Sequence, residues 1–300
     1  MSRSPRRRHD KTSFFKYVSA STARTVLVNH ALRWSSPILF NDPFDVPREI
    51  LFGMTSEELS IALENRFISL IESPPEDTSN FQQDIKNILD NARNGMSAEQ
   101  RLDLINNIRN ASESRIDRSD CIESFRDKWR HLIPEFRILC LTESPAHTAM
   151  WFHYADKYKG AVLEFKCSDE LDSVWLTAKP VTYPTTKPDI YSADGWAKLM
   201  LLPNDIGLLE VLDISTYTKS PDWSYEGEWR NTTFKRPNET GLFTDYAYNP
   251  LELSSIYLGP QITSMDREAL LLVAANYPHA NIYEVSISMN REFIFNKVRD

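Results

Sequence analysis

Cysteine is scarce in this chain, and long apolar runs are missing. The three cysteines, Cys121, Cys140 and Cys167, are odd in number and widely spaced over 300 residues. That spacing argues against a disulfide framework or a cysteine-based zinc site, and for free thiols in a reducing cytoplasm. No stretch approaches the roughly 20 apolar residues that span a bilayer, so no membrane partner is expected. The charged start has no apolar segment behind it and does not read as a secretory signal. No internal repeat is present. What remains is ordinary for a globular chain: 41% hydrophobic and 25% charged residues, enough to bury a core without staples.

The formal net charge is −8, but it is unevenly spread. Residues 1–11 hold Arg3, Arg6, Arg7, Arg8 and Lys11 against Asp10, a net of about +4 that leaves the rest at about −12. This start reads as a disordered, solvated basic tail, ahead of a single domain over residues 12–300.

Alternating and helical patterns predict an α+β fold, a curved mixed or mostly antiparallel sheet with flanking helices. Residues 14–18 and 32–36 read as strands around a helix at 19–29. Asp42-Pro43 initiates a turn in the stretch 40–45, where Phe40 and Phe44 are expected to pin the loop to the core. Residues 54–133 form a helical insertion. Thr55–Glu58 and Ser97–Gln100 have capping-box spacing, and Pro74 and Pro75 stop the first of these helices. Strand character returns at 136–141 and 161–165. Between them Ser144-Pro145 suits a helix start, and Gly160 suits its end. A short strand is expected near Val181 and Tyr183, then helices near 196–202 and 206–217. Strands at 254–258 and 282–288 flank a helix at 266–277.

Residues 219–235 carry the candidate chemistry. The turn Ser220-Pro221-Asp222 precedes an aromatic, β-branched run that reads as a strand. Alternation puts Trp223, Tyr225 and Trp229 on one face, expected to be buried, and Glu226, Glu228 and Arg230 on the other. Two carboxylates and a guanidinium in a row form either a salt-bridged exposed edge or the wall of a pocket.

Four segments together resemble the bacterial and phage family known as domain of unknown function 2971. They are Lys16-Tyr17, residues 32–45, Met150-Trp-Phe-His-Tyr-Ala-Asp with Lys159-Gly160, and residues 223–230. A second, weaker likeness is to ADP-ribosyltransferases, through Ser35-Ser36 at a strand end, the His153-Tyr154 pair and Glu226-Gly-Glu228. That likeness implies NAD as the bound nucleotide and ADP-ribose transfer to an acceptor whose class, protein, nucleic acid or small molecule, it leaves open. Glu228 would face NAD and Glu226 the acceptor. Tyr154 would stack on nicotinamide, and Lys16, Arg33 or Arg230 would meet the pyrophosphate. Tyr17, Ser35, Ser36 and His153 complete the implied binding set, with Asn41, Asp42, Asp45 and Trp151 as further pocket candidates. The first strand departs from the pattern by holding Lys16 or Tyr17 where an Arg or His is usual. Two other readings stand beside this one. In a metal-dependent nuclease, Asp42, Asp45, Glu226 and Glu228 would converge on Mg²⁺, although no general base falls at a recognisable spacing. In a non-catalytic module, the pocket would hold a nucleotide or a protein segment, with phage–bacterium conflict as one setting.

Overall fold

The computed structural model describes residues 3–50, 53–113 and 119–299; Cys121 lies in a stretch whose side chains fall outside the described set. In chain order the elements are β1 (Ser13–Val18), α1 (Ala20–Asn29), β2 (Ala31–Ser35), α2 (Ser56–Glu72), α3 (Gln83–Asn94), α4 (Ala98–Glu113), α5 (Ser119–Glu135) and β3 (Phe136–Thr142). Then follow α6 (Thr148–Tyr154), β4 (Ala161–Lys166), β5 (Lys179–Pro180), α7 (Ala193–Met200), α8 (Asn204–Tyr217), β6 (Glu228–Phe234) and β7 (Phe243–Ala247). The chain closes with β8 (Leu253–Leu258), α9 (Ser264–Ala274), β9 (Asn281–Ile287) and β10 (Phe293–Arg299). The fold is α+β, as the patterning implied. No helix among the described residues is long and apolar enough to cross a membrane.

The chain divides into two compact units. The first comprises residues 1–45, 133–183 and 217–300 and contains the sheet. The second comprises residues 46–132 and 184–216. The helical block is therefore larger than the expected insertion, because α7 and most of α8 join it. Its helices start and stop where their caps dictate. Thr55 and Glu58 exchange side-chain-to-backbone bonds in a full capping box, and Ser97 and Gln100 do the same. Arg101 donates to the carbonyls of Ile71, Glu72 and Ala92, closing the C-terminal turns of α2 and α3.

In the first unit the strands run β10-β9-β8-β4-β1-β3-β2-β7, with β6 added to β3 and β5 to β6. Among the described residues β8 and β9 pair in parallel and the other pairs are antiparallel. One face carries the main core, including Phe14, Leu27, Leu163, Phe165 and Leu270, beneath α1 and α9. The arrangement around β3 matters most. β6 pairs with it along its whole length, from Phe136↔Phe234 to Thr142↔Glu228. Its other edge is shared: β1 meets it at Phe15↔Thr142 and β2 at Ser35↔Ile138. The sheet branches there and leaves a gap on the face opposite the core.

Several local expectations are corrected. Residues 221–226 form a 3-10 turn, not the start of a strand. The helix near Ser144-Pro145 begins later, at Thr148, and ends at Tyr154. Asp156, Lys157 and Tyr158 then take φ of 47°, 52° and 69°, a left-handed stretch that non-glycine residues rarely form. The Gln261 N–H donating to the Tyr158 carbonyl at 3.1 Å holds this reversal. Gly160 is required by close approach, since a Cβ there would sit 2.1 Å from the Val18 carbonyl oxygen. Phe44 is 86% exposed and pins nothing. The short strand expected at Val181 and Tyr183 lies slightly earlier, at β5. The edge strands β7 and β10 were not among the expected elements. The basic start is not a loose tail from residue 3 onward: Arg6 pairs with Asp172, and Arg7 with Asp169.

Candidate functional site

Strand alternation holds only from Glu228 onward, and the order of burial is the reverse of the one expected. Glu226, Glu228 and Arg230 are buried, whereas Trp223, Tyr225 and Trp229 are only partly covered. Charge can be buried here because it is paired. Arg230, with no exposed surface, donates from Nε to Glu228 Oε1 at 2.7 Å and from Nη2 to Glu228 Oε2 at 2.9 Å. The same guanidinium forks onto Asp45 at 2.9 and 2.7 Å, the bidentate geometry that suits arginine. Lys219 Nζ donates to Glu226 Oε2 at 2.5 Å and to Glu228 Oε2 at 3.2 Å, and lies 3.8 Å from Asp45 Oδ2. Tyr154, at the end of α6, donates its hydroxyl proton to Glu226 Oε1 at 2.6 Å.

The backbone of this segment is fixed as firmly as its side chains. The Thr142 hydroxyl donates to the Glu226 carbonyl at 2.6 Å, and the Glu228 N–H donates to the Tyr183 hydroxyl at 3.0 Å. Between the two glutamates Gly227 takes φ of +50°, a left-handed conformation that glycine adopts without a Cβ clash. The reversal at Gly227 ends the 3-10 turn and lets strand β6 begin at Glu228.

The two carboxyl groups are driven apart electrostatically. Burial raises the Glu226 pKa above its usual value, with Lys219 and Tyr154 only partly offsetting it. Burial would raise Glu228 too, but the Arg230 guanidinium and the Lys219 ammonium outweigh it and hold that carboxyl at about 2. Burial, followed by the field of Glu226, pushes the Tyr154 phenol far up, so it stays a proton donor. Tyr183 is pushed up to about 12, mainly by burial. Three carboxylates therefore face two fixed cations, Lys219 and Arg230, leaving one negative charge over within this cluster whenever Glu226 is ionised.

The cluster forms the floor of a cleft of about 240 Å³ that opens at the branch in the sheet. Lys16, Tyr17, Arg33, Ser35, Tyr154 and both glutamates line it, as do Asn41, Asp42 and Asp45. Lys16 reaches the Cys140 carbonyl at 2.7 Å, and Arg33 lies 3.8 Å over the Phe243 ring while pairing with Asp245. Four expected site residues fall elsewhere. Ser36 is buried and donates to the Ile133 carbonyl. Trp151 is core, its indole N–H bonded to the Pro145 carbonyl. His153 is exposed and outside the cleft lining. Arg230 lies beneath the floor, its fork already engaged by Asp45 and Glu228, so it is not placed to meet a phosphate. Sequence reasoning missed Lys219, Cys140, Thr142 and Tyr183; the lone Lys219 in a polar turn gives no pattern by which to find it.

The carboxylates proposed as Mg²⁺ ligands do meet, but Lys219 and Arg230 sit among Asp45, Glu226 and Glu228. Among the described residues no group of three or more His, Cys, Asp or Glu is arranged to hold a metal ion. Asp42 instead accepts the Phe44 N–H at 2.8 Å in an Asx turn. No protein-family model matches the chain, and neither the curated proteins nor the solved structures contain a match.

Proposed function

We propose that the cleft cleaves the N-glycosidic bond of NAD and transfers ADP-ribose to an acceptor. The observation that carries this reading is the convergence of Glu226, Glu228, Tyr154 and the Ser35 strand end on one cleft, with Lys16 and Arg33 beside them. The lining fits the nicotinamide end of the molecule: aromatic walls in Phe15, Tyr154 and Trp223, cationic groups for phosphate, and carboxylates for a sugar that becomes positive. The cavity falls a little short of the roughly 300–1,000 Å³ of drug-sized sites, which suits one end of a dinucleotide.

Bound NAD supplies a ribosyl carbon whose bond to the pyridinium nitrogen breaks with its electron pair, so neutral nicotinamide leaves and positive charge develops on the sugar. Glu228 stays ionised although Arg230 and Lys219 pair with it, so the cluster keeps one negative charge over while Glu226 is ionised and offers that cation preorganised negative charge. Glu226, with its raised pKa, takes the proton that an acceptor O–H or N–H loses on forming its new bond to carbon. Tyr154 orients Glu226 by its hydrogen bond. A pair of carboxyl groups pushed apart in pKa by their surroundings marks a division of acid–base labour, and strongly perturbed groups in a cleft are candidates for function.

Incubation with NAD labelled both in its nicotinamide carbonyl and in its adenylate phosphate tests the proposal. Free nicotinamide should accumulate with the native chain and vanish with Glu228→Gln, while Glu226→Gln should suppress labelling of the acceptor more than nicotinamide release. No turnover of NAD with any cell extract sinks the proposal. Mg²⁺-dependent nucleic-acid cleavage that EDTA stops, with NAD untouched, replaces it with the nuclease reading.

A further inference from the structure

The basic segment at residues 3–11 does not line the cleft, yet it packs through Trp229 on the face of β6 opposite Glu228. Arg7 is its anchor. The guanidinium forks onto Asp169 at 2.9 and 2.8 Å and donates to the carbonyls of Cys167, His9 and Lys11, each at 3.2 Å. The Arg8 N–H donates to the Leu176 carbonyl at 2.8 Å. His9 is held by both ring nitrogens. Nδ1 accepts the Lys11 N–H at 3.1 Å, which makes Nε2 the donor to the Trp175 carbonyl at 2.8 Å.

This anchoring presses two side chains onto β6. The His9 ring meets Trp229 edge-on, with centroids 5.1 Å apart, and meets Phe14 at the same distance. The Lys11 ammonium lies 5.6 Å from the Trp229 ring centre and pairs with Glu143. Glu143 in turn backs the turn between the two glutamates, its Cγ lying 3.5 Å from where a Cβ on Gly227 would be. Trp229 follows Glu228 directly, and successive strand residues face opposite sides of a sheet. Pressure on Trp229 from one side therefore fixes how far Glu228 projects on the other.

We propose that residues 4–11 are a clamp that positions the Glu226–Trp229 segment, and with it both carboxylates, from behind the sheet. Arg7, His9 and Lys11 are then positioning residues for the cleft. The inference rests on the cluster geometry and stands whether or not the ligand is NAD.

The full chain carrying Arg7→Ala tests it, beside Arg7→Lys, which keeps the charge but loses the fork, and the milder His9→Ala/Lys11→Ala pair in case Arg7→Ala does not fold. The decisive readout is the side-chain carboxyl resonance of Glu226 in ¹³C-glutamate-labelled protein, assigned with Glu226→Gln and titrated against pH. Glu226 faces Tyr154 from α6, Lys219 before the 3-10 turn, and Glu228 across Gly227. Loosening that packing admits water, so the midpoint should fall toward the ordinary carboxylate value by roughly half a pH unit or more in Arg7→Ala. The double variant should show a smaller fall, and Arg7→Lys should recover part of it. If the variants melt at lower temperature but leave the Glu226 midpoint in place, the segment is only structural and the clamp is overturned. An unchanged midpoint with an unchanged melting temperature overturns it as well. Nicotinamide release adds a second arm, in which the clamp variants should lose kcat with little change in KM. A wild type without NAD turnover removes that arm and the proposed activity together, while the carboxyl titration still decides on the clamp.

Discussion

Glu226 and Glu228 flank one glycine, yet they should draw the stability of the protein in opposite directions as pH changes. Glu228 has a folded pKa of about 2 against an ordinary 4.5. It binds fewer protons folded than unfolded, so its contribution is complete above about pH 4.5 and drains as pH falls toward 2. At about 1.4 kcal/mol per unit, the loss is on the order of 3 kcal/mol. Glu226 has the opposite sign. Its folded pKa is raised, so its contribution is complete below about 4.5 and is lost as pH rises through the folded value. Urea unfolding at a series of pH values between roughly 3 and 8, for the native chain, Glu228→Gln and Glu226→Gln, resolves the two. Differences from the native chain cancel the titration of other carboxylates. The Glu228→Gln difference should shrink as pH drops through the acid range, because the native chain loses there what the variant never had. The Glu226→Gln difference should instead change on the neutral side, where the native chain alone must ionise a buried group. Two difference curves of the same sign and window refute the opposed ionisation on which the assigned roles depend.

Other consequences are simpler to measure. Arg230→Met strips Asp45 and Glu228 of their shared buried partner and should cost roughly 3–5 kcal/mol in chemical unfolding, more than a surface ion pair is worth. Tyr154→Phe removes a hydrogen bond that favours the ionised carboxylate, so the Glu226 titration and the acid limb of any pH–rate profile should move to higher pH; no movement separates Tyr154 from Glu226 function. Gly160→Ala drives a methyl group into the Val18 carbonyl oxygen and should abolish soluble protein or lower its melting point steeply. Thr55→Ala breaks the capping box of α2 and should cost about 1 kcal/mol in unfolding, with the Glu226 titration unchanged.

Much of the sheet was legible because burial and capping left marks in the chain. β1, β2, β4, β8 and β9 alternate or run apolar where a core face demands it, and the helices expected at 19–29 and 266–277 are α1 and α9, which Ser19 and Thr263 cap. β7 and β10 were not read as strands. Each is an edge strand paired on one side, and the burial pattern of β7 alternates only between exposed and half-buried. The order of burial in residues 219–235 was misread for a different reason. Apolar-inside is the default rule for an alternating strand, and it fails where the charges neutralise one another. The partners that make this possible, Asp45 and Lys219, stand 185 and 11 residues from Arg230 and carry no local signature. The basic start was misread in the same way. Its acidic partners, Asp169 and Asp172, are distant in sequence, so five positive charges within nine residues look solvated until the fold brings those partners back.

The position of the cleft follows from the branch at β3. A strand offers two edges, and β6 takes one of them completely. β1 and β2 divide the other, each meeting it at a single register pair, so neither closes the sheet there. Side chains from all four strands converge on the resulting gap: Phe15 and Tyr17, Arg33 and Ser35, Cys140 and Thr142, and Glu228. Hydrophobic residues of similar volume would seal such a gap at less cost, since a buried ionic cluster seldom stabilises a fold relative to an apolar replacement. The chain instead fills it with three carboxylates, two cations and a phenol, satisfied by hydrogen bonds yet open to the cleft on one side. Stability does not explain that choice, and the chemical role we propose for the open side would. The clamp behind β6 fits the same logic, because a floor of opposed charges is useful only while its geometry is held.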